Sequence, residues 1–389
     1  MKLVKYVLIL LLVITTGCNS KEIDDDPETI LKEPEVIEGI VEENVPEEVH
    51  TMSMIAVGDN LIHGAVYYYN NYNGTYYFND IYENTNYLTQ EADFAFINFE
   101  TICGGTELGL SSYPMFNGPY EVIDGVASAG FDWLSGSSNH TMDRGEQGIL
   151  NELNYIHTNY PDITITGIHD SLEDYQSLKV VEVNGIKVGL LDYTYGLNGI
   201  ELPAGKEYLV DQIDETKILN DLHRLNEVSD IQLVSMHWGT EYSMDVNEEQ
   251  KHLAQAMVDA GADIIIGTHP HVIETMEYLT GEDGHKAIVY YSLGNFLSAQ
   301  DEVPRMLGGM ASLKLSYYPQ RKELVFDEAK FIPTINHMEG SFSFFRVYAL
   351  KDYTNELAAK HTLAGKGVSV ERFKELVDSV ANPDIPVEY

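Results

Sequence analysis

The sequence is poor in cysteine, tryptophan and positive charge. Its 389 residues include two cysteines and two tryptophans, and 23 Lys and Arg stand against 62 Asp and Glu, a formal net charge of −39. Nucleic-acid binding needs clustered Lys and Arg to meet the phosphate backbone, and the sequence has no such cluster. The same shortage argues against binding an anionic membrane surface through a basic patch. The charge therefore excludes nucleic acid as a partner.

The apolar run at the N-terminus, from Tyr6 to Ile14, is too short to span a bilayer, which needs about 20 residues. Two lysines precede it, and Thr15-Thr16-Gly17-Cys18 follows, a pattern that predicts a signal peptide over residues 1–18. The segment resembles a bacterial lipoprotein signal, which implies cleavage before Cys18 and lipidation of Cys18. Two or more acyl chains would anchor the protein stably to a membrane. A plain cleaved leader with an incidental cysteine is the alternative.

Residues 19–50 carry twelve acidic side chains against Lys21 and Lys32, together with three prolines. Such a stretch repels itself and lacks core residues, so we predict an acidic, disordered tether. The rest of the chain still has 19 basic against 50 acidic side chains. Cys103 is its one cysteine, so lipidation of Cys18 would leave no internal disulfide.

From Thr51 onward, short apolar runs alternate with amphipathic stretches, which predicts an α/β fold whose sheet is covered on both faces. The predicted strands are Met52–Val57, Phe94–Ile97, Trp133–Leu134, Thr164–Thr166, Val188–Leu191, Ile231–Ser235, Asp263–Ile266 and Ile288–Tyr291. The predicted helices are Gln147–Thr158, Asp211–Asn226, Glu248–Ala260 and Val370–Val380. Alternation over Met310–Val325 and Gly340–Leu350 predicts antiparallel strands.

Polar side chains follow six of these strands, where ligands bind in open α/β sheets. They are Asp59, His63, Asn98, Glu100, Asn139, His140, Asp143, His237, Glu241, His269, His271 and Asn295. Each alone has a simpler interpretation, as a helix cap, a loop residue or a buried histidine. Together they match the imidazole and carboxylate ligands of a two-metal site. An extended backbone would also point His269 and His271 to the same side.

These motifs resemble those of the CapA family of bacterial poly-γ-glutamate capsule synthesis proteins, related to the calcineurin-like metallophosphoesterases. The matching motifs are Gly58-Asp59, Asn98-x-Glu100, Asn139-His140-x-x-Asp143, His237-Trp238-Gly239-x-Glu241-Tyr242, Gly267-x-His269-Pro270-His271 and Ser292-Leu293-Gly294-Asn295-Phe296. The resemblance implies a four-layer α/β/β/α sandwich of metallophosphoesterase type. We assign this domain to residues 51–345 and a packed strand/helix extension to residues 346–389.

The resemblance also implies roles for the strand-end residues. Asp59 and His271 would hold a first metal, and Glu100 would bridge to a second. Asn139, His237 and His269 would hold the second metal. His140 would stabilise the transition state or protonate the leaving oxygen, with Asp143 orienting it. Further metal or substrate candidates are His63, Asn98, Glu241 and Asn295.

The implied cofactor is one or two divalent ions of Mn, Zn or Fe. One ion is an alternative because Asn60-Leu61 follows Asp59, where the phosphoesterases have Asp-x-His. His169 receives no role.

Three functions follow as hypotheses. The first is capsule synthesis, export or anchoring on the extracytoplasmic face of the cell membrane, with poly-γ-glutamate or another envelope polymer as partner, within a membrane capsule-synthesis complex. The second is a metal-dependent phosphoesterase acting on a cell-envelope or nucleotide phosphoester. The third is a non-catalytic polymer-binding scaffold. Because a polyanion is repelled by an acidic domain, polyglutamate binding should depend on divalent metal.

Overall fold

Two β-sheets form the centre of the fold in the computed structural model, which describes residues 47–389. The predicted signal peptide, the lipidation of Cys18 and the tether up to residue 46 lie outside the described residues. The first strand begins at His50, at the end of the predicted tether.

The elements largely follow the sequence pattern. The strands are β1 (His50–Asn60), β2 (Asn71–Tyr72), β3 (Thr75–Tyr76), β4 (Phe94–Asn98), β5 (Trp133–Ser135), β6 (Thr164–Thr166), β7 (Lys179–Val183), β8 (Ile186–Thr194), β9 (Ile231–His237), β10 (Ile264–Thr268), β11 (Met276–Thr280), β12 (Lys286–Tyr290), β13 (Asn295–Leu297), β14 (Leu307–Tyr318), β15 (Glu323–Glu339) and β16 (Phe344–Ala349). The helices are α1 (Gly64–Tyr69), α2 (Asn79–Tyr82), α3 (Asn86–Glu91), α4 (Glu121–Ser128), α5 (Gly145–Asn159), α6 (Leu172–Gln176), α7 (Glu215–Asn226), α8 (Glu248–Asp259), α9 (Asn355–Lys360) and α10 (Val370–Val380). Over residues 47–389, no helix has the length and apolar character needed to cross a membrane.

The first sheet has the order β16-β15-β14-β1-β4-β5-β6, and β13 pairs with the end of β1. Strands β1, β4, β5 and β6 run parallel, whereas β14, β15 and β16 are antiparallel. The second sheet has the order β11-β12-β10-β9-β8-β7, with four parallel strands between two antiparallel edges. The parallel strands carry the apolar runs, as expected for strands covered on both faces.

Alternate side chains of the second sheet face two different cores. Leu233 and Ile264 belong to the large core shared with the first sheet, whereas Val234 and Ile265 pack with the buried residues of α7 and α8. This follows from the two-residue repeat of a strand. Helices α4 and α5 bury their apolar faces in the large core on the side of the first sheet. The layers are therefore α/β/β/α, and the predicted four-layer sandwich is confirmed.

Side chains cap the N-terminal ends of the helices from α6 to α10. Asp214 accepts a hydrogen bond from the Lys217 N–H at the start of α7, and Asn247 with Gln250 forms a capping box on α8. Helix α10 covers the same residues as the predicted final helix and buries Phe373 and Val377 in the large core. Strand β16 crosses the proposed domain boundary at residue 345.

Candidate metal centre

The carboxyl ends of strands from both sheets meet at one buried site. Asp59 lies near the end of β1, Glu100 follows β4, His237 ends β9, and His269 and His271 follow β10. Their exposed fractions are 0% for Asp59, Glu100 and His237, 3% for His269 and 2% for His271. Parallel strands thus deliver every one of these groups to the same edge of the sandwich, as the sequence predicts.

Asp59, Glu100 and His271 form the tightest group. The Nδ1 atom of His271 lies 2.9 Å from Asp59 Oδ2, and its Nε2 atom lies 3.6 Å from Glu100 Oε1. One ligand atom from each of the three residues lies within 4.8 Å of the others. Both carboxylate oxygens of Glu100 are buried without a hydrogen-bond partner in the described part of the chain. Buried oxygens are normally satisfied, so the orphaned pair fits a divalent cation.

The pKa shifts of this group reflect two buried acidic side chains beside one imidazole ring. Burial raises the pKa of Glu100 well above its usual value, and the charges of Asp59 and Glu241 raise it further, against the lowering effect of His271. Burial would lower the pKa of His271, but the carboxylates of Glu100 and Asp59 outweigh it and raise that pKa to about 9. The two acidic groups on either side of His271 thus favour the protonated form of its ring.

Asn139, His237 and His269 form a second group beside the first. Asn139 Oδ1 lies 3.0 Å from His237 Nε2, and the rings of His237 and His269 have centroids 4.8 Å apart. Burial, followed by the charges of neighbouring histidines, lowers the pKa of His237 well below its usual value and that of His269 to about 3. Both rings are neutral at neutral pH, the state that binds a metal. The buried His269 Nδ1 has no partner among the described residues.

The backbone of the His-Pro-His turn differs from the predicted extended conformation. His269 has φ of 96° and His271 has φ of 59°, both in the left-handed region that side chains disfavour. The expectation that an extended backbone aligns the two rings is therefore wrong. Instead, the His269 N–H donates to Asp59 Oδ1 over 3.2 Å, which ties the turn to β1. Strain of this kind persists where the surrounding structure holds it, often at functional sites.

His140 and Asp143 make a separate buried pair, which follows Asn139 directly in the chain. His140 Nδ1 lies 2.8 Å from Asp143 Oδ2, and the same oxygen accepts the Phe116 N–H over 2.6 Å. The ring of Phe116 packs edge-on against that of His140, at 4.6 Å between centroids. Asp143 thus fixes the orientation of His140 and places the proton on Nδ1, which leaves Nε2 for other partners.

The four further candidates have different positions. Asn98 donates to Asp59 Oδ1 over 2.8 Å, and Asn295 Oδ1 lies 3.2 Å from His271 Nδ1, so both orient ligand candidates. His63 Nδ1 accepts the Ala299 N–H over 3.2 Å and lies outside the tight group. Glu241 is exposed.

The site also contains residues to which the sequence analysis gave no role, although Tyr242 stands in one of the quoted motifs. The ring of Tyr195 lies 4.5 Å from that of His269, and Asn198 accepts a hydrogen bond of 3.3 Å from Asn139 Nδ2. Tyr242 and Arg305 stack beside His271. Tyr195, Asn198 and Tyr242 come from loops and Arg305 from a short 3₁₀ helix (Val303–Met306), so the periodicity of strands and α-helices gives no signal for them. The Asn198-Gly199 pair indicates a turn, but not its place beside Asn139.

His169 belongs to a different part of the fold. Its Nε2 lies 2.8 Å from Asp211 Oδ2 and its Nδ1 lies 3.0 Å from Asp174 Oδ2. Lys217 and Lys179 pair with the same two carboxylates. His169 is thus a member of an ion-pair network that joins the loops around α6 and α7.

Comparison with known proteins places the chain in a family. Residues 53–300 match the family described as "Bacterial capsule synthesis protein PGA_cap", and this segment holds every ligand candidate described above. The chain belongs to this family. A PGA biosynthesis protein CapA of Bacillus subtilis (strain 168) is 35% identical over 191 residues, 46% of each chain. A capsule biosynthesis protein CapA of Bacillus anthracis is 32% identical over 189 residues, 46% of this chain and 43% of that one. The matches thus span about half the length of these relatives.

Family membership confirms the resemblance to CapA that the sequence motifs indicate. Similarity to solved structures is lower. A phosphatase from Mycoplasma pneumoniae superposes with a TM-score of 0.44 at 14% identity, covering 74% of this chain and 94% of that one. The NAD nucleotidase of Haemophilus influenzae superposes with a TM-score of 0.44 at 11% identity, covering 85% and 61%.

Proposed function

We propose that this protein takes part in the synthesis, export or anchoring of a poly-γ-glutamate capsule, through divalent metal bound at the strand-end site. The observation that carries the proposal is the buried Asp59, Glu100 and His271 group, with the orphaned oxygens of Glu100, inside the family-matched segment. A polyanion meets general repulsion from the acidic domain. Bound divalent cations would offset that repulsion where the polymer must come close.

The residues have distinct tasks in this proposal. Asp59, Glu100 and His271 would hold one ion, and Asn139, His237 and His269 would complete a site for a second. A divalent ion supplies Lewis acidity and lowers the pKa of a bound water.

The chain itself supplies proton transfer and orientation. When His140 carries a proton on both ring nitrogens, Asp143 holds the Nδ1 proton and Nε2 can give the other proton to a leaving oxygen. Asn98 fixes the Asp59 carboxylate, because its amide bonds to Oδ1.

A metal-dependent phosphoesterase is the second candidate function. The His140–Asp143 pair beside the metal group favours it, because such a pair protonates leaving oxygens in general acid catalysis. A non-catalytic polymer-binding scaffold is the third, and it would need neither proton transfer nor a bound metal.

Metal content and capsule formation together test these functions. The full chain is purified and its Mn, Zn and Fe are measured, alongside the variants Asp59→Asn and His237→Ala. We expect the wild type to hold metal and both variants to hold less. Equal metal content in all three would contradict the two-metal site.

The same variants, expressed in a capsule-forming strain that lacks its own homologue, separate the three functions. Loss of capsule without any phosphodiesterase activity of the wild type supports the first function. Metal-dependent hydrolysis of phosphodiesters by the wild type supports the second. Full capsule with metal-free variants supports the third.

We further propose that lipid on Cys18 anchors the protein to the outer face of the cell membrane, where a membrane capsule-synthesis complex would be its partner. The cysteine after a signal-like segment supports this placement. Membrane fractionation of the wild type and Cys18→Ala tests it. The variant should move to the soluble fraction, and an unchanged distribution would contradict the anchor.

A further inference from the structure

Arg305 is a cation built into the rim of an otherwise acidic site. Its guanidinium carbon lies 3.6 Å from the centroid of the Tyr242 ring, and its side chain is 18% exposed. The ring of Tyr242 lies in turn 5.9 Å from that of His271. One aromatic ring therefore separates the guanidinium from the metal-ligand candidates.

The rest of the structure holds this arrangement in place. The Tyr242 N–H donates to the carbonyl oxygen of Pro270 over 2.7 Å, with Tyr242 in the left-handed region at φ of 67°. Asn295 Nδ2 donates to the Arg305 carbonyl oxygen over 3.0 Å, while Asn295 Oδ1 contacts His271 Nδ1. Tyr242 is thus hydrogen-bonded directly to the His-Pro-His turn, and Arg305 is connected to it through Asn295.

The guanidinium keeps most of its hydrogen-bonding capacity. In the described part of the chain, its one carboxylate neighbour is that of Glu302, at 3.5 Å and 60% exposed. A guanidinium carries five N–H donors in a planar fork that matches an oxyanion. Stacking on an aromatic ring fixes the plane of that fork and leaves its edge for a ligand.

Arg346 provides an internal comparison. Its guanidinium carbon lies 4.5 Å from the centroid of the Phe344 ring, and its side chain is 15% exposed. Two carboxylates, those of Asp80 and Glu83, lie at 3.3 Å from it. This stacked arginine away from the site is therefore paired, whereas Arg305 at the site has a single carboxylate neighbour at 3.5 Å in the described part of the chain.

We propose that Arg305, held flat by Tyr242, binds an oxyanion of the substrate next to the metal site, and that in poly-γ-glutamate this group is the free carboxylate of a glutamyl unit. The inference rests on the proposed function for the choice of substrate. It adds a specificity-determining residue that would recognise the polymer beside the metal-ligand candidates. A phosphate oxygen presents the same chemistry, so the test includes both sources.

The test measures binding of two probes to the full chain loaded with Mn²⁺. One probe is a fluorescent γ-linked glutamate oligomer and the other is phenyl phosphate, and the proteins are wild type, Arg305→Gln, Arg305→Lys and Arg346→Gln. We expect Arg305→Gln to weaken oligomer binding about 10- to 100-fold, the range for loss of a charged hydrogen bond. Arg305→Lys should recover part of the affinity, and Arg346→Gln should bind as the wild type does. Mn²⁺ affinity should stay the same in all four proteins.

The outcomes separate this inference from the proposed function. Oligomer binding that needs Asp59 and Mn²⁺ but is unchanged in Arg305→Gln would overturn the inference and leave the proposed function standing. Loss of phosphate binding alone in Arg305→Gln would support the oxyanion site and overturn the polyglutamate function. Equal losses in Arg305→Gln and Arg346→Gln would overturn the inference, because a general charge effect would then explain both.

Discussion

Replacing Glu100 by glutamine should stabilise the metal-free protein and abolish its stabilisation by metal. Both oxygens of Glu100 are buried without a partner, and burial raises its pKa because the ionised form is poorly solvated. A buried unsatisfied polar group costs about 1–3 kcal/mol. Glutamine keeps the shape and is also unsatisfied, but it removes the additional cost of burying a charge, so Glu100→Gln should raise the free energy of unfolding by about 1 kcal/mol when chelator is present.

Metal should reverse this order. At a concentration 100 times its Kd, a ligand that binds only the folded state adds about 2.7 kcal/mol. The wild type should gain this amount from Mn²⁺, whereas Glu100→Gln should gain little because a neutral amide is a weaker ligand than a carboxylate. Without metal the variant is then the more stable protein, and with metal the wild type is. A change of 1 kcal/mol corresponds to about 2–4 °C in Tm for domains of 150–250 residues.

Thermal unfolding of both proteins, with EDTA and with Mn²⁺, measures the effect. Glu152→Gln is the matched control, since Glu152 is also a fully buried carboxyl group, hydrogen-bonded by the Cys103 N–H away from the metal group. Its response to Mn²⁺ should equal that of the wild type. The reasoning is refuted if Glu100→Gln is the less stable protein in EDTA, or if Mn²⁺ raises its Tm as much as that of the wild type.

Three further predictions concern acid–base behaviour and packing. Burial raises the pKa of Glu152 to about 8 from a usual 4.5, so the unfolded chain loses this proton first. The stability that protonated Glu152 contributes to the folded state is therefore full below about pH 4.5 and is lost as the pH rises to about 8. Because Glu152→Gln lacks this titration, its denaturant midpoint should fall less steeply over this pH range than that of the wild type. Asp143→Asn should lower any metal-dependent hydrolysis about 10²- to 10⁴-fold, as expected for an impaired general acid, with unchanged metal content by elemental analysis. Gly58→Ala should destabilise by more than about 3 kcal/mol in chemical unfolding, because a Cβ at Gly58 would lie 1.9 Å from the Gly294 carbonyl oxygen; a change below 1 kcal/mol would contradict this.

Local patterns predicted the covered α/β strands and the polar strand ends well, whereas the four layers were implied by the resemblance to CapA. Continuous apolar runs marked β4, β9 and β10, and each is followed by a polar residue that the sheet topology carries to one edge. The alternation over Met310–Val325 and Gly340–Leu350 correctly indicated antiparallel strands, which are β14 and β16, whereas most of β15 lies between these two stretches.

The sequence could not show how the connecting segments pack at the edge of the sandwich where these strands end. The left-handed turn at His269 and His271 is imposed by contacts with Asp59 from another sheet, against the local preference of both residues. Arg305 contacts Tyr242 across a separation of 63 positions, because the 3₁₀ helix that carries Arg305 packs against the loop after β9. The ligand roles assigned from the resemblance to CapA stay predictions until metal is measured.

The metal-ligand candidates come from both sheets, so metal binding should also affect how the two sheets are held together. Asp59 and Glu100 follow strands of the first sheet, whereas His237 and His271 follow strands of the second. A partly folded form in which the two sheets have not yet packed together does not contain the full set of ligand candidates. Metal should therefore bind only after the two sheets have packed against each other. A bound ion would then hold the two sheets of the sandwich together. Amide exchange along the inner strands β1 and β10, rather than at the site alone, should slow when metal binds.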